Sequence, residues 1–446
     1  SLSCLDCIGV PSLAPSDDRD TPADHRWWSA RWSVIAAVLV GVLVRLIYLV
    51  ATPFNVRNYD VMAHVDYILY MQHHWWVPQA SMGWEMHQAP LYYFVAALWT
   101  IVQPGRDMFY ELQGFALVCS LATLLIGAWI AVEIFPRRRQ AWLAGLFTLG
   151  IAVFPSLVFL TSRVNNDVLY APLTLGGFGL LLWWWRAPKR RRWTALCLLL
   201  TAALLTKTSG LLLIGAAGLC LVFHPRLTLQ ECLKQALIML VVLSVGAGWY
   251  HALRHEQRFG LKYFTESSET TSGLSRALFV GNKPSDYVTL PLIKTIQEPY
   301  VSTWNDKTYR SNFWSFVYRS AYFGEFYLGE PLKGLARGIL ISGYGVAVLA
   351  LAGAGLMLRK REGALTPLLA VLAIQFAGLM GYRLLNPFAC NQDFRFIMVA
   401  SAPLLALAVL GIERLPMEAR KPVLTIFVLH LALCAVFITA LLALGI

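Results

Sequence analysis

Charged residues are scarce in this 446-residue chain: Asp, Glu, Lys and Arg together make up 14% of it, against 57% hydrophobic residues. A soluble domain carries about a quarter charged residues. The apolar residues also come in long runs instead of alternating with polar ones, which is typical of membrane-spanning helices. The composition therefore excludes an ordinary soluble domain, and the bilayer is the solvent in which this chain must be understood.

The first 31 residues lack the basic-then-apolar pattern of a signal peptide. They are polar and contain several Asp and Pro residues, so we expect a mostly disordered cytoplasmic tail over 1–31. Cys4 and Cys7 form an isolated CxxC without a second Cys pair, which disfavours a zinc site. The remaining cysteines lie mostly in or beside apolar runs, so no disulfide framework is expected.

The formal net charge of +12 raises the question of nucleic-acid binding. The basic residues, however, form short clusters between apolar segments, which is typical of cytoplasmic loops of membrane proteins. These clusters lie at 136–140, 186–193, 358–362 and 418–421. Membrane topology explains the charge, and no nucleic-acid partner is predicted.

A spanning helix needs about 20 apolar residues. Segments that meet this requirement lie at 32–51, 115–135, 141–160, 168–185, 236–253, 334–357, 364–382, 397–413 and 422–443. Two further apolar segments are ambiguous, and the alternation of basic loops decides both. Segment 89–102 is short and is predicted to be an interfacial or re-entrant helix. Segment 194–223 is predicted to be a short hairpin that turns at Lys207, which gives an all-α polytopic membrane protein with about 11 transmembrane helices.

This threading divides the chain into a tail, a transmembrane module over 32–413, and a cytoplasmic loop with a last spanning helix over 414–446. Three regions outside the membrane are larger than a connection requires: 52–114 with juxtamembrane helices, 254–333, and 382–396. Most of the polar residues capable of catalysis or ligand binding lie in these regions or in the short outer loops. We therefore expect a functional site at the outer end of the module.

The stretch after the first span contains three ionisable side chains: Asp60, His64 and Asp66. In a helix over 61–70, an apolar band runs along one side, and Asp60 and His64 lie one turn apart on the opposite side. This pattern predicts a helix on the bilayer surface that presents its carboxylates to an outer cleft. The alternative is the solvated polar face of an ordinary amphipathic helix. Asp60 is preferred over Asp66 because it lies nearest to the first span.

Other outer loops contribute Glu85, His87, Asn166, Asp167 and Arg395. Each has a structural alternative: the first two are polar residues ahead of a helix, Asp167 suits a helix N-cap, and Arg395 suits snorkelling at the membrane edge. Taken together, outer carboxylates near buried cations fit a reaction on a lipid-linked phosphate. In such a reaction cations hold the leaving phosphate while a carboxylate activates a nucleophile.

Several motifs, in this order, resemble the GT-C glycosyltransferases over about residues 32–410. They are an Asp soon after the first span, "HQAPLYYFVAALW", "RVNND", the Lys207 turn and "QDFRFIMVASAPLLAL". The nearest branches are those related to protein O-mannosyltransferases and to the aminoarabinose transferase of lipid A. These enzymes transfer a sugar from a polyprenyl-phosphate carrier to an acceptor outside the cytoplasm, usually with inversion.

The resemblance implies that Asp60 is the general base and Asp167 a second acidic residue of the site, while the loop over 254–333 covers the donor. The site residues expected to bind the donor phosphate are Lys207, Arg395 and Arg383, and those expected to contact substrate are His64, Glu85, His87 and Asn166. Two departures leave the branch and a divalent-cation requirement open, since Val61 replaces a second acid and "QAP" replaces a double proline. The sequence contains no firm metal motif.

These observations predict a multi-pass glycosyltransferase of the bacterial inner membrane, with its active site on the periplasmic face. Its partners would be a polyprenyl-phosphate-linked sugar, membrane lipids, and a glycan, lipid or protein acceptor. Two other classes remain: a transporter or flippase of a lipid-linked anion, and a membrane scaffold with a folded outer loop. A transporter requires polar groups near mid-membrane, whereas here they cluster at the outer side.

Overall fold

The computed structural model describes residues 27–102, 107–136, 140–257, 275–360, 362–363 and 365–445, without the side chains of 27–31, 257, 275 and 276. The described residues form helices joined by loops and a single β-bridge between Phe279 and Phe388, with no β-strand. The all-α prediction is therefore confirmed. The isolated CxxC and residues 1–26 of the predicted tail lie outside the described residues. Helix α1 begins at Trp27, five residues before the predicted span.

The helices that match the nine predicted spans follow the chain in order. They are α1 (Trp27–Ala51), α4 (Met108–Ile134), α5 with α6 (Ala141–Val153 and Pro155–Phe159), α7 (Asp167–Arg186), α10 with α11 (Leu229–Leu243 and Trp249–Gln257), α16 (Lys333–Arg359), α17 (Leu365–Leu385), α18 (Ser401–Arg414) and α19 (Met417–Ala443). Within the described residues, eight helices are long and apolar enough to cross a membrane, and the bent α5–α6 pair brings the number to nine. The nine predicted spans are thus present.

The bend between α5 and α6 measures 54°. Phe154 has an extended backbone, and Pro155 follows it as the first residue of α6. Proline has no N–H for a helical hydrogen bond and disfavours helical backbone in the residue before it. Pro155 therefore causes the break between α5 and α6, and the bend turns the chain toward the loop that precedes α7.

Segment 194–223 is a helical hairpin, as predicted. Its arms are α8 (Arg190–Thr206) and α9 (Gly210–Val222). Trp193 of α8 donates to the carbonyl of Gln235 at 2.7 Å, and the Cys232 thiol donates to the carbonyl of Leu221 of α9 at 3.5 Å. Both distant ends of the hairpin thus meet the first turns of α10. A side chain at Gly210 would lie 2.8 Å from the backbone nitrogen of Leu204, so the tight turn requires glycine there.

Shorter helices gather at the end of the bundle where this hairpin turns. They are α2 (Val61–His74), α3 (Leu91–Ile101), α12 (Ser275–Leu278), α13 (Ser285–Val288), α14 (Leu292–Gln297) and α15 (Phe313–Phe323). Helix α3 packs along α2, and Trp99 near its end donates to the carbonyl of Glu111 in the first turn of α4 at 2.9 Å. Both ends of α3 therefore stay at the same end of the bundle, in agreement with the interfacial prediction for 89–102.

The two ends of the bundle differ in composition. At one end, here the basic end, Arg186 pairs with Glu133 at 2.8 Å, Arg414 pairs with Glu362, and basic clusters follow the helix termini. The other end is called the site end. There the Gln113 side chain of α4 donates to the backbone carbonyl of Thr52, which follows α1, and to that of Ser162. The predicted alternation of the helices is observed. Residues 137–139 of the basic cluster at 136–140 lie outside the described residues.

Candidate functional site

A cavity of about 480 Å³ opens at the site end. Its wall is built by the segment before α2, the loop before α3, the start of α7, the α8–α9 turn, α9, α17 and the segment before α18. The residues that line it are Tyr59, Asp60, His64, Trp84, Glu85, His87, Gln88, Asn165, Asn166, Asp167, Lys207, Thr208, Ser209, Leu211, Leu212, Gly378, Leu379, Gly381, Tyr382, Leu385, Asn391, Arg395 and Phe396. Every predicted site residue except Arg383 thus meets at one cavity.

Asp60 lines this cavity, immediately before α2, and is exposed. Its backbone is left-handed (φ 59°, ψ 21°), and its side chain makes no capping hydrogen bond to the helix. Aspartate tolerates this conformation better than most residues. The preceding turn is held by buried Arg57, which donates to the Tyr48 hydroxyl at 2.9 Å and the Thr52 hydroxyl at 3.0 Å. The exposed carboxyl group is therefore carried on a fixed backbone instead of being used to cap the helix.

The prediction for His64 was wrong in one respect. His64 is buried, its ring stacks on Tyr93, and its Nδ1 lies 2.8 Å from the Tyr93 hydroxyl. Burial lowers the pKa of His64 to about 3, which leaves the ring neutral at physiological pH. The helical phase was extended one residue too far, since Asp60 precedes the helix, and α3 covers the side of α2 expected to be polar. Asp66 is exposed and does not line the cavity.

The loop before α3 contributes Glu85, His87 and Gln88. Glu85 is buried and its Oε2 has no hydrogen-bond partner among the described residues. Burial, and next the nearby charge of Asp60, raise the pKa of Glu85 to about 8. The His87 Nδ1 lies 2.8 Å from the carbonyl of Trp84. Two carboxyl groups thus face the cavity, and the buried one favours its neutral form.

This loop is held from behind by α11. Arg254 is fully buried and donates to the carbonyls of Pro78 at 2.8 Å and Met86 at 2.6 Å. Tyr250 donates to the carbonyl of His87 at 3.0 Å. A buried arginine needs such acceptors to offset its desolvation. The placement of Glu85 and His87 therefore depends on a helix about 170 residues away in sequence.

Asp167 and Lys207 form an ion pair in the opposite wall. Both side chains are buried, and the Lys207 ammonium also lies 4.6 Å from the centre of the Phe396 ring. Asp167 is the first residue of α7, and Asn166 occupies the N-cap position that the structural alternative had assigned to Asp167. Asn166 donates to the Gln88 side chain at 3.2 Å. Asp167 therefore holds Lys207 in place at the cavity and does not act as a helix cap.

Arg395 lines the same wall with its side chain 27% exposed. Two carboxyl groups lie beside it, Glu325 and Asp393, each with an oxygen 3.8 Å from a guanidinium nitrogen. Its guanidinium carbon lies 5.3 Å from the centre of the Phe396 ring. Arg395 therefore presents positive charge to the cavity next to Lys207.

Arg383 is the one predicted site residue that the structure does not bring to the cavity. It is fully buried near the end of α17 and donates to the Asn282 side chain and to the Gly281 carbonyl, both at 2.9 Å. These acceptors belong to the long loop, which pairs its backbone with the segment after α17 at the Phe279–Phe388 bridge. Its contacts fasten that loop to the bundle.

Other cavity-lining or supporting residues were not predicted from the sequence: Tyr59, Trp84, Gln88, Asn165, Glu325 and Asp393. Tyr59 directly precedes the predicted residue Asp60, and Asp393 lies two residues before the predicted residue Arg395, so proximity in the sequence was an available signal for both. Glu325 lies about 70 residues from Arg395 in sequence, and no local pattern marks it. Its role becomes visible only when the loop folds back on the bundle.

The cavity combines three chemical features. Asp60 and Glu85 supply carboxyl groups, Lys207 and Arg395 supply positive charge, and α9 and α17 supply an apolar wall of Leu211, Leu212, Leu379 and Leu385. A ligand with an anionic group joined to an apolar chain fits this division. Among the described residues, no three His, Cys, Asp or Glu side chains converge as metal ligands, so we derive no step through a metal.

No protein-family model matches the chain, and no curated protein matches it significantly. Solved structures do resemble it. The apo oligosaccharyltransferase of Archaeoglobus fulgidus superposes with a TM-score of 0.51 at 12% identity, covering 94% of this chain and 57% of that one. ArnT from Cupriavidus metallidurans, bound to undecaprenyl phosphate, superposes with a TM-score of 0.52 at 15% identity, covering 89% of this chain and 62% of that one.

The chain thus spans less than two thirds of the length of these proteins. Identities of 12–15% establish similarity of fold and no more. Both proteins are GT-C enzymes, and the superposed region includes most of the helices described above. The described part of this chain therefore has the polytopic fold of the GT-C glycosyltransferases.

Proposed function

We propose that this protein transfers a sugar from a polyprenyl-phosphate carrier to an acceptor hydroxyl, with inversion at the anomeric carbon in a single displacement. One observation carries the proposal: Asp60 shares a cavity with Lys207 and Arg395, and an apolar wall adjoins them. A carboxylate activates the nucleophile, cations hold the leaving phosphate, and an apolar wall receives a lipid chain. The cavity contains a group for each of these tasks.

The donor phosphate would bind at Lys207 and Arg395. The Asp167 carboxylate partly neutralises Lys207, whereas the N–H groups of Arg395 suit phosphate oxygens because of their planar, forked arrangement. The isoprenoid chain would leave along α9 and α17, whose leucines line the cavity. Binding of the carrier thus places its phosphate between the two cations and its sugar toward Asp60.

In the reaction, the acceptor oxygen forms a bond to the anomeric carbon while the bond from that carbon to the phosphate oxygen breaks. The acceptor proton passes to Asp60, and the electron pair of the broken bond leaves with the polyprenyl phosphate. Since the pKa of Glu85 is raised to about 8, Glu85 would stay neutral at pH 7 and offer a hydrogen bond to a sugar hydroxyl. Two carboxyl groups with different protonation states divide these roles.

The structural neighbours support the nature of the carrier. ArnT binds undecaprenyl phosphate, and an archaeal oligosaccharyltransferase of this fold binds a dolichol phosphate together with an inhibitory peptide. Each is a lipid phosphate. The acceptor of this chain would be a glycan, a lipid or a protein.

We further propose that the protein lies in the bacterial inner membrane with the site end on the periplasmic face. The basic clusters at the opposite end support this orientation, since Lys and Arg are enriched in cytoplasmic loops. Cysteines introduced singly at Arg191 and Lys360, which are exposed at the basic end, should react with an impermeant thiol reagent only from the cytoplasmic side. Labelling of both from the periplasmic side would refute the orientation.

The activity is tested by incubating the purified protein with a polyprenyl phosphate carrying a radiolabelled sugar and with extracted cell-envelope acceptors. We expect label to move from the carrier to an acceptor and free polyprenyl phosphate to appear in equal amount. A transporter would instead move the intact carrier across a vesicle membrane without breaking the sugar–phosphate bond. A scaffold would do neither, so the products distinguish the three functions.

A further inference from the structure

The turn from Arg57 to Asp60, here the Asp60 turn, leads into α2 and has an unusual backbone. Both of these residues adopt the left-handed region, with φ of 53° and 59°. Residues other than glycine are uncommon there, and such a conformation persists only where neighbouring contacts hold it. The hydrogen bonds of Arg57 to Tyr48 and Thr52 hold the start of the turn. Asp60, the base of the proposed reaction, lies at its other end and follows Tyr59.

Tyr59 connects the Asp60 turn to the segment that follows α15. Its hydroxyl donates to the backbone carbonyl of Glu325 at 2.9 Å. Its ring stacks on the ring of Phe326, with 5.0 Å between the ring centres and 17° between the ring planes. Although Tyr59 is 42% exposed, a hydrogen bond at its tip and a stacked face give its side chain a single orientation. Two segments 266 residues apart in sequence are therefore joined beside Asp60.

The segment that receives Tyr59 is itself held in place. Gly324 ends α15 with a φ of 62°, and its N–H donates to the carbonyl of Ser320 at 3.0 Å. A Cβ at Gly324 would lie 2.9 Å from the Phe326 ring. On that ring also lies buried Arg163, whose guanidinium carbon is 5.1 Å from the ring centre. Phe326 does not line the cavity. Tyr59 therefore stacks on a fixed ring that is not part of the cavity wall.

Glu325 also links the Asp60 turn to the proposed phosphate site. Its backbone carbonyl accepts from Tyr59, while its side-chain Oε1 lies 3.8 Å from the Arg395 Nη2. Glu325 is 7% exposed, and a buried residue in a close-packed interior has little room to move. One buried residue thus contacts both the neighbour of the proposed base and a cation proposed to hold the leaving phosphate. These contacts set the spacing between the two parts of the cavity.

We propose that Tyr59 is a positioning residue for Asp60. Its contacts with Glu325 and Phe326 fasten the Asp60 turn, so the carboxyl group keeps one place relative to the bound carrier. A general base must lie within hydrogen-bond reach of the attacking hydroxyl, and small displacements slow such a reaction strongly. The inference rests on the proposed function, since it takes Asp60 as the base. Loss of the contacts should lower kcat and leave the affinity for the carrier, which depends on the two cations, nearly unchanged.

The first test measures the kcat for transfer from a radiolabelled polyprenyl-phosphate sugar and, separately, the affinity for undecaprenyl phosphate. Tyr59→Leu removes both contacts and should lower kcat about tenfold, while the affinity stays within about twofold of wild type. Tyr59→Phe loses only the hydrogen bond and should remain within about threefold of the wild-type kcat. Phe326→Leu changes no residue of the cavity wall, yet it should lower kcat about fivefold because Tyr59 loses the ring on which it stacks. An unchanged kcat in Phe326→Leu would contradict the inference.

The double variant that combines Tyr59→Leu with Phe326→Leu distinguishes positioning from substrate contact. If the two residues act through one contact, the double variant is no slower than Tyr59→Leu alone. Losses that multiply would show that Tyr59 touches the substrate, and the positioning role would fall. Tyr344→Leu is the matched control, since Tyr344 stacks on Tyr318 with 4.4 Å between ring centres and does not line the cavity. It should keep the wild-type kcat; a loss as large as that of Tyr59→Leu would count against a specific role for Tyr59.

A second measurement does not require activity. In the full chain, the backbone amides of the Asp60 turn should exchange hydrogen for deuterium about tenfold faster in Tyr59→Leu and Phe326→Leu than in wild type, because local opening becomes easier. Unchanged exchange in both variants would overturn the inference, and if Tyr59→Leu does not fold, Phe326→Leu decides alone. An absence of transfer by wild type, or near-normal transfer by Asp60→Asn, would instead reject the proposed function or its base. Faster exchange in the variants would still show that Tyr59 holds the turn.

Discussion

The two ends of the helix bundle handle charge in opposite ways. At the basic end, ion pairs lie near the surface: the side chain of Arg186 is 42% exposed and that of its partner Glu133 is 20% exposed. At the site end, Asp167, Lys207, Glu325 and Asp393 are buried, and their interactions converge on one cavity. By our proposals, the same residue types thus serve membrane orientation at one end and substrate chemistry at the other.

This contrast has an energetic consequence. Exposed ion pairs contribute about 0–1 kcal/mol because water screens them and the long side chains lose entropy. Buried charges are expensive to desolvate, and removing one partner leaves the other uncompensated. Buried charges at a cavity are retained despite this cost when they bind a ligand. This agrees with the clustering of residues with perturbed pKa values at functional sites. Substitutions at the two ends should therefore differ in size and in kind.

The largest effect is expected at Asp60. The change Asp60→Asn keeps the size of the side chain but removes the base, so transfer should slow by roughly 10²–10⁴-fold while donor binding and folding are retained. Turnover with saturating labelled donor measures this loss, and Asp66→Asn, in the helix that follows Asp60, is the matched control because Asp66 is exposed and does not line the cavity. Near-normal transfer by Asp60→Asn, with activity abolished in Asp66→Asn, would show that Asp66 and not Asp60 is the general base.

The second effect concerns the cations. Lys207→Ala and Arg395→Ala should each weaken binding of undecaprenyl phosphate by about 1.5–3 kcal/mol, the usual contribution of a hydrogen bond to a charged group. Isothermal titration or native mass spectrometry can measure this change.

The matched control for Arg395 is Arg383, which lies near it in sequence and is buried without lining the cavity. Arg383→Ala should lower the thermal unfolding temperature, because it leaves the Asn282 and Gly281 acceptors without their donor. Its affinity for the lipid phosphate should stay within about twofold of wild type. A loss of affinity equal to that of Arg395→Ala would return Arg383 to the donor site.

These two arginines also mark the limit of sequence-based prediction. The spans and the hairpin could be predicted because span length, proline and the distribution of basic residues are local signals. The meeting of Asp60, Asp167, Lys207 and Arg395 followed from topology, which brings their loops to one end. The partner of each arginine could not be predicted, since Glu325 and Asn282 reach them only through the folded long loop. Burial of His64 under Tyr93 depends in the same way on how α3 packs on α2.

The third effect is a pH dependence centred on Glu85, whose pKa burial raises to about 8. Below that pH Glu85 is neutral; above it, a second negative charge appears near Asp60 and repels the carrier phosphate. Transfer should therefore fall about tenfold from its plateau by pH 9, as for a single ionisation that inactivates the enzyme. A profile of kcat/KM from pH 6 to 9.5 measures it, and Glu85→Gln should lack the transition near pH 8. If the transition persists in that variant, another group is responsible.

The smallest effect is expected at the basic end. Arg186→Ala breaks the 2.8 Å pair with Glu133, yet it should lower stability by no more than about 1 kcal/mol, because both side chains are partly exposed and screened. Thermal unfolding at low and high salt measures this loss, which should shrink as salt is added. A double-mutant cycle with Glu133→Gln isolates the energy of the pair from that of the other contacts of the Arg186 side chain. A coupling energy of several kcal/mol would mean that the basic end, like the site end, depends on its charges for more than orientation.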